Sequence, residues 1–181
     1  MNATPTYQAI VAAPGFCLGV RCDDDELHGI DYLEPCSEAA PHSPLAMEAV
    51  RQLRSYLDDP RFAFGLPTRP QGTAFQRRVW DGIAVIPPGA TRTYGELARA
   101  VHSAPRAVGG ACGANPYPLL VPCHRVVAAG GLGGFGRDRG GFLLEVKRWL
   151  LHHEGVRHLM QANTLTFRHR VQHGVKFQCA K

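Results

Sequence analysis

Cys123 and His124 stand side by side in the run Pro122-Cys123-His124-Arg125-Val126. The thiolate is the reactive form of cysteine, its ordinary pKa is about 8.5, and a neighbouring base or cation shifts it toward ionisation. The pair is therefore the smallest kit for a nucleophilic sulfur. Two such residues also meet by chance, and buried free cysteines are usually inert packing groups. The flanking residues favour the reactive reading. Leu119-Leu120-Val121 leads in, Pro122 ends the apolar run, and Val126-Val127 resumes it. The thiol is expected at a fixed break between two buried segments, where a reactive atom is both held and reached.

Several elements must position that break. After it comes a glycine-rich loop, Gly130 to Gly141, and then a helix with Phe142, Val146, Trp149, Leu150 and His153 on one face and Gly155 placed to terminate it. Glu154 falls at the negative end of that helix dipole, where a carboxylate is unfavourable. A carboxylate that must hydrogen-bond an imidazole has reason to stand there. Before the break, Thr73 caps a helix over Ala74 to Ile83, with Phe75, Val79 and Ile83 at spacings of four. Pro87-Pro88-Gly89 interrupts the chain. Thr93 to Val101 then forms a short helix, and Ser103 caps a second that starts at Ala104-Pro105.

That outline is a helix-turn-helix, whose second helix presents its N-terminal residues to DNA. Arg106 lies in the first turn, where the dipole disfavours a cation by about 0.3–1 kcal/mol. Gly109, Gly110 and Gly113 follow closely, and an interior glycine costs roughly 1 kcal/mol relative to alanine. Local stability selects neither feature. A helix that approaches a phosphate backbone, with an arginine projecting into the duplex, selects both. Tight helix–helix packing beside a surface arginine is the competing account.

The 181 residues suit one large domain or two small ones, and 45% hydrophobic with 19% charged residues indicates a globular chain. No run of about 18 apolar residues exists, so no membrane span is expected. Residues 1–10 lack the features of a secretory signal. The six cysteines contain no C-x-x-C pair, so reduced thiols in a cytoplasmic compartment are expected. Charge is uneven. Residues 1–70 hold five arginines against ten acidic residues, and residues 71–181 hold fifteen basic residues against five acidic ones. An acidic half joined to a basic half suggests two domains, the basic one facing a polyanion; a solvated basic surface is the alternative.

In the first half, Tyr7 to Val11 and Phe16 to Arg21 flank the turn Pro14-Gly15, which predicts a β-hairpin. Leu27 to Leu33 follows as a further strand. Leu45 to Leu57 reads as an amphipathic helix with Leu45, Val50, Leu53 and Leu57 inward, and Phe62 to Pro70 has a linker's composition. At the far end, Leu165, Phe167, Val171, Val175, Phe177 and Cys179 suggest a short basic hairpin about His173-Gly174.

Six segments together resemble the O6-alkylguanine-DNA alkyltransferases, in order and spacing, over about residues 70–155. They are Gly72-Thr73-Ala74-Phe75-Gln76-Arg77-Arg78-Val79-Trp80, Thr93-Tyr94-Gly95-Glu96-Leu97-Ala98, Arg106-Ala107-Val108-Gly109-Gly110-Ala111, Asn115-Pro116, the Cys123-His124 segment, and Trp149-Leu150-Leu151-His152-His153-Glu154-Gly155. The resemblance implies a two-domain α+β protein. Residues 1–69 would form a ribonuclease H-like α/β domain with antiparallel strands. Residues 70–156 would form a winged-helix-like alkyltransferase and DNA-binding domain with a helix-turn-helix. Residues 157–181 would be an extension.

The implied activity is direct reversal of DNA damage. A methyl or larger alkyl group passes from O6 of guanine, and from O4 of thymine, irreversibly to Cys123. Each molecule acts once, without metal or organic cofactor. By the same resemblance, Glu154 polarises His124, His124 takes the Cys123 proton through a water, Tyr94 protonates the departing base, and Asn115 braces the turn before the thiol. The nucleotide must be flipped out, with Arg106 filling the gap. Tyr94, Ala107, Gly109, Gly113 and Arg125 are the further DNA contacts, and Val126, Phe135 and Gly136 line the substrate pocket. The partner is double-stranded DNA carrying alkylated guanine; the protein is expected to be a cytoplasmic monomer, working at the nucleoid or nucleus and not at a membrane.

The chain departs from the pattern at its loop, which is several residues longer. Phe135 stands where the family has tyrosine, keeping ring stacking and losing a hydroxyl. Some relatives bind zinc near the stretch of Cys22 and His28, but four ligands are not evident here. Two other readings compete. A lesion-binding alkyltransferase-like protein would lack the reactive cysteine, which this chain has. A cysteine hydrolase using Cys123, His124 and Glu154 leaves the basic helix-turn-helix unexplained.

Overall fold

Residues 7–136, 141–157 and 159 are described by a computed structural model of the chain. The first strands, β1 (Ala9–Ala13), β2 (Phe16–Cys22) and β3 (Leu27–Leu33), form an antiparallel sheet in that order. Pro14-Gly15 makes the first turn, with Gly15 at φ 89°, and the register pairs Ala13 with Phe16 and Ala9 with Val20. Only glycine takes that left-handed conformation without a steric cost. Helix α1 (Pro44–Asp58) packs on β1 and β2. Ser43 caps it, its Oγ accepting from the Ala46 amide at 3.2 Å. Leu45, Val50 and Leu53 are buried as expected, Leu57 is half-buried, and Tyr56 goes fully inside.

The Phe62 to Pro70 segment is not a free linker. The Leu27 amide donates to Pro67 O at 2.8 Å, and the Arg69 amide donates to Leu27 O at 2.9 Å. Prolines remove donors but keep their carbonyls, so a proline-rich strap can still accept from an edge strand. Buried side chains from both halves of the chain, including Val11, Leu53, Ile83, Leu97 and Leu150, join one continuous core.

Helices α2 (Ala74–Ala84), α3 (Tyr94–Ala100) and α4 (Pro105–Gly113) pack on one another. Capping boxes start the first two: Thr73 with Gln76, and Thr93 with Glu96. Trp80 in α2 donates its indole N–H to Ala111 O in α4 at 2.9 Å, fixing their approach. Ala104, not Ser103, is the N-cap of α4, and no side chain caps that end. Pro105 at the first helical position sets the start one residue later, and the Ser103 amide instead closes the previous helix on Ala98 O at 2.8 Å.

Two short strands, β4 (Arg92–Thr93) and β5 (Val126–Val127), pair in parallel. They clamp the start of α3 to the residues just after the 3-10 turn Cys123–Arg125. Helix α5 (Gly141–His153) completes the described fold. Gly155, at φ 82°, ends it, and the Val156 amide donates back to Leu151 O at 2.9 Å. Val146 and Leu150 are buried with Phe142, Trp149 and His153 partly so, and Lys147 and Leu151 are fully buried beside them. The fold is mixed α/β, with an antiparallel sheet and five α-helices among the described residues. None of those helices is long and apolar enough to cross a membrane. The expected hairpin over Leu165 to Cys179, and Arg137 and Arg139 of the long loop, lie outside the described residues.

Candidate active site

Cys123 is 7% exposed and lines a cavity of about 570 Å³. Tyr94 from the start of α3, and Arg106, Gly109, Cys112 and Gly113 from α4, line the same cavity. The loop after β5 adds Gly134, Phe135 and Gly136. The turn before the thiol is held by Asn115. Its Nδ2 donates to Val121 O at 2.8 Å, its Oδ1 accepts from the Tyr117 amide at 3.0 Å, and Nδ2 also reaches Cys123 Sγ at 3.4 Å.

Behind the thiol lies a buried charge cluster. His124 Nε2 is 2.8 Å from Glu154 Oε1, and both side chains are wholly inaccessible. With Nε2 donating to a carboxylate, the neutral ring carries its proton there and Nδ1 is the acceptor. Tyr56 Oη donates to the same Oε1 at 2.9 Å, across 98 residues of chain. Arg125 closes the cluster with Nε on Oε2 at 2.9 Å and Nη2 on Oε1 at 2.8 Å, and its Nη1 donates to Ile86 O.

Arg125 was expected to contact DNA, and this arrangement corrects that. It is buried and committed to Glu154. An unpaired buried carboxylate costs several kcal/mol, so the charge nearest in sequence to the reactive pair is drawn inward. The other expected DNA-side residues stay toward solvent: Arg106 and Ala107 are exposed and Gly109 is half-buried.

The electrostatics follow from burial and pairing. Burial pushes the Glu154 pKa up, but the bond from His124 and then Arg125 outweigh it and hold the carboxyl down at about 2. Burial pulls His124 down, against the raising effect of Glu154, which favours the neutral ring. Burial pushes the Cys123 thiol up, while Asn115 and the Lys147 charge oppose that shift. The resting thiol is therefore protonated near neutral pH, and a base is required to make it a nucleophile.

Lys147 and Tyr56 are residues that sequence reasoning missed, and Lys147 lies nearer the thiol's cavity. Its ammonium is buried on the inner face of α5 and donates to Val126 O at 2.7 Å and Gly134 O at 3.0 Å. It thereby ties the strand after His124 to the loop that carries Phe135. Nζ also stands 5.8 Å from the ring centres of both Tyr94 and Phe135, and burial brings its pKa down to about 8. A lysine directly after Val146, on a stripe otherwise apolar, was the available signal. Tyr56 had none, since its hydroxyl acts only through a distant partner.

Tyr94 is turned to the same loop. Its hydroxyl donates to Gly134 O at 3.0 Å, and burial raises its pKa. Gly133, at φ 68°, lets the loop come this close: a Cβ there would sit 3.0 Å from the Tyr94 ring. Phe135 is buried, its ring 5.5 Å from that of Tyr32 in β3. Val126 is fully buried and contributes its carbonyl to Lys147. Cys112 is a second thiol on the cavity wall, pushed up to about 12 by burial. Among the described residues, no three His, Cys, Asp or Glu side chains gather to hold a metal ion.

Comparison with known proteins bears on the whole arrangement. Residues 74–156 match the family model described as 6-O-methylguanine DNA methyltransferase, DNA binding domain. A methylated-DNA–protein-cysteine methyltransferase of Methanosarcina acetivorans is 43% identical over 158 residues, covering 82% of this chain and 98% of its own. The constitutive methylated-DNA–protein-cysteine methyltransferase of Bacillus subtilis is 41% identical over 59% of this chain and 68% of its own. Among solved structures, the O6-methylguanine methyltransferase of Mycobacterium tuberculosis superposes with a TM-score of 0.68 at 34% identity, covering 84% of this chain and 94% of that one. The Mycobacterium tuberculosis OGT in complex with DNA gives a TM-score of 0.66 at 34% identity, over 80% of this chain and 90% of that one.

Proposed function

The chain belongs to the methylated-DNA–protein-cysteine methyltransferases, and from that premise we propose that it repairs DNA by accepting a methyl or alkyl group from O6 of guanine irreversibly on Cys123. One observation carries the assignment of the acceptor. A thiol 7% exposed on the wall of an open cavity is adjacent in sequence to a buried His–Glu pair 2.8 Å apart.

The reaction is a proton transfer followed by an alkyl transfer. The Cys123 S–H bond breaks and the proton passes, through a water, to His124 Nδ1, giving an imidazolium that Glu154 stabilises without accepting the proton. The thiolate attacks the alkyl carbon, an S–C bond forms, and the C–O pair stays on the guanine oxygen. Tyr94 supplies a proton to the base so that it does not leave as a bare anion. Its phenol already reaches the loop over the cavity and exchanges Gly134 O for the substrate. A thioether is not displaced under these conditions, so each molecule turns over once.

O6 is out of reach in a stacked duplex, so the nucleotide enters the cavity flipped. Arg106, exposed on the cavity rim in the first turn of α4, is the side chain that replaces it. Ala107, Gly109 and Gly113 let the backbone approach, and the α4 N-terminus, uncapped by any side chain, offers amides to phosphate. Phe135 and Gly136 line the base site, Val126 is instead fully buried with its carbonyl on Lys147, and O4-alkylthymine fits the same chemistry. Supporting this reading, the family model covers residues 74–156. We assign residues 1–69 to a ribonuclease H-like N-terminal domain, 70–156 to a winged-helix-like repair domain, and 157–181 to an extension.

Incubation with duplex DNA carrying methyl-labelled O6-methylguanine, followed by peptide mass mapping, tests the proposal. One methyl per protein on Cys123 is expected, with Cys123→Ala binding DNA but gaining no label. Label on another residue, or product beyond one equivalent, overturns it.

A further inference from the structure

Among the described residues, two fully buried side-chain polar atoms have no hydrogen-bond partner in the protein: Tyr32 Oη and His124 Nδ1. Every other polar atom of the cluster behind Cys123 is engaged. Glu154 takes four bonds, the Tyr56 hydroxyl is on Glu154, and His124 Nε2 is on Glu154. The two orphans are also complementary. With its proton on Nε2, His124 offers an acceptor at Nδ1, and a tyrosine hydroxyl offers a donor.

Tyr32 reaches the site from the other half of the chain. It lies near the end of β3, with its ring 5.9 Å from Phe16 and 5.5 Å from Phe135. Phe135 lines the cavity that holds Cys123. The Tyr32 ring therefore packs against a residue of the cavity wall, with its hydroxyl buried. After burial, the groups that bear on its ionisation are the Cys123 thiol and then Tyr56 and Glu154, two members of the cluster behind it.

We propose that Tyr32 is a positioning residue for the transfer reaction: its hydroxyl and His124 Nδ1 hold between them the water through which Cys123 gives up its proton. The proposal rests on Cys123 being the alkyl acceptor. A buried water is stable with about three polar partners, and Cys123 Sγ, His124 Nδ1 and Tyr32 Oη supply three. Tyr32 donates to the water oxygen, the water donates to Nδ1, and the thiol donates to the remaining lone pair. On reaction the S–H bond breaks and an N–H bond forms at Nδ1. The water is left neutral, and Tyr32 keeps its proton. A direct bond from Tyr32 to Nδ1 would occupy the base, and the structure has no such bond.

Tyr32→Phe removes only the hydroxyl, so single-turnover transfer by the full-length variant is the test, followed from neutral to strongly alkaline pH. At neutral pH transfer is expected to slow by about tenfold, inside the hundredfold that a ~1 Å misplacement can cost. DNA affinity and thermal midpoint should not fall. The deficit should close as pH rises and Cys123 ionises without the relay. Alkylation of Cys123 by iodoacetamide, without DNA, should show the same shift of its pH profile to higher pH. An equal deficit at every pH would mean that Tyr32 only shapes the cavity wall, and would overturn the proposal. Unchanged transfer at neutral pH with a higher thermal midpoint would overturn it too. If the wild type itself places no methyl on Cys123, the acceptor assignment fails instead, whatever the variant does.

Discussion

Behind Cys123 the Glu154 carboxylate accepts four hydrogen bonds from Tyr56, His124 and Arg125, all buried; in front of it the cavity is walled largely by glycines, aromatic rings and one exposed arginine. The rear is contributed by α1, the Cys123–Arg125 turn and the residue after α5, so three distant segments must agree before it forms. The front depends on α4 and a glycine-rich loop tied down at Gly134 by Tyr94 and Lys147. Proton chemistry is thus preorganised by the core, where fixed dipoles cost no reorganisation during reaction. The shape that admits the base is left to elements with few side chains to fix them. Acid–base strength and substrate fit can therefore vary separately in this molecule.

The largest effect should come from the rear. Glu154→Gln leaves Arg125 buried without its counter-charge, so chemical denaturation should show a loss of about 3–5 kcal/mol. Transfer by the folded fraction should fall by about a hundredfold or more, because His124 loses the carboxylate that stabilises its protonated form and so makes it an effective base. The same carboxyl carries a pH signature. Its folded pKa of about 2 lies below the ordinary 4.5, so its stabilisation is complete above pH 4.5 and disappears as pH falls toward 2. Thermal midpoints across that window should drop more steeply for the wild type than for Glu154→Gln. Equal slopes would mean that the rear is not held by this carboxylate.

Lys147→Met sits between the two regions and should have an intermediate effect. It removes the Lys147 donor from Val126 O and one of the two side-chain donors from Gly134 O, at a cost of about 1–3 kcal/mol, and it loosens the loop, which then hangs on Tyr94 alone at that atom. Transfer should slow by about tenfold, with a greater change for bulky alkyl groups than for methyl. If all alkyl groups respond alike, Lys147 belongs with the rear. Arg106→Ala should slow repair of duplex DNA by about tenfold while leaving a single-stranded substrate nearly unaffected, since only the duplex has a stack to hold open. Its stability should stay level or rise by about 0.3–1 kcal/mol, because a cation leaves the positive end of α4.

The smallest effects separate two neighbouring glycines. A Cβ at Gly109 would lie 4.0 Å from the Tyr94 ring, and one at Gly110 would meet nothing within 4 Å. Each alanine variant should gain up to about 1 kcal/mol in denaturation experiments. Only Gly109→Ala, on the cavity wall, should slow transfer. Equal slowing by both would place the contact on the outer face of α4 and not in the cavity.

Much of this was legible in the residues. Thr73, Thr93 and Gly155 punctuate helices through local hydrogen bonds and backbone preference, so their places follow from near neighbours. The hairpin at Pro14-Gly15 is local in the same way. Strands β4 and β5 were not legible, because two residues carry no periodicity and their pairing spans the chain from Arg92 to Val126. Ser103 misled because Pro105 outranks a hydroxyl in setting a helix start. The strap over residues 62–70 looked like a linker because composition reports missing donors and says nothing of a partner strand.

By itself the sequence determined which chemistry is available: a thiol beside an imidazole, a misplaced carboxylate, and an arginine and glycines on a helix that local stability would not choose. Those are properties of residue type and short-range spacing. Only the tertiary structure decided how the charges divide. Arg125 goes inward to Glu154, 29 residues away, while Arg106 stays out on the cavity rim, and Lys147 and Tyr56 join the site unannounced. The reason is that the cost of a charge depends on its burial and on which partner comes within about 3 Å, and both are set by packing between segments far apart in the chain.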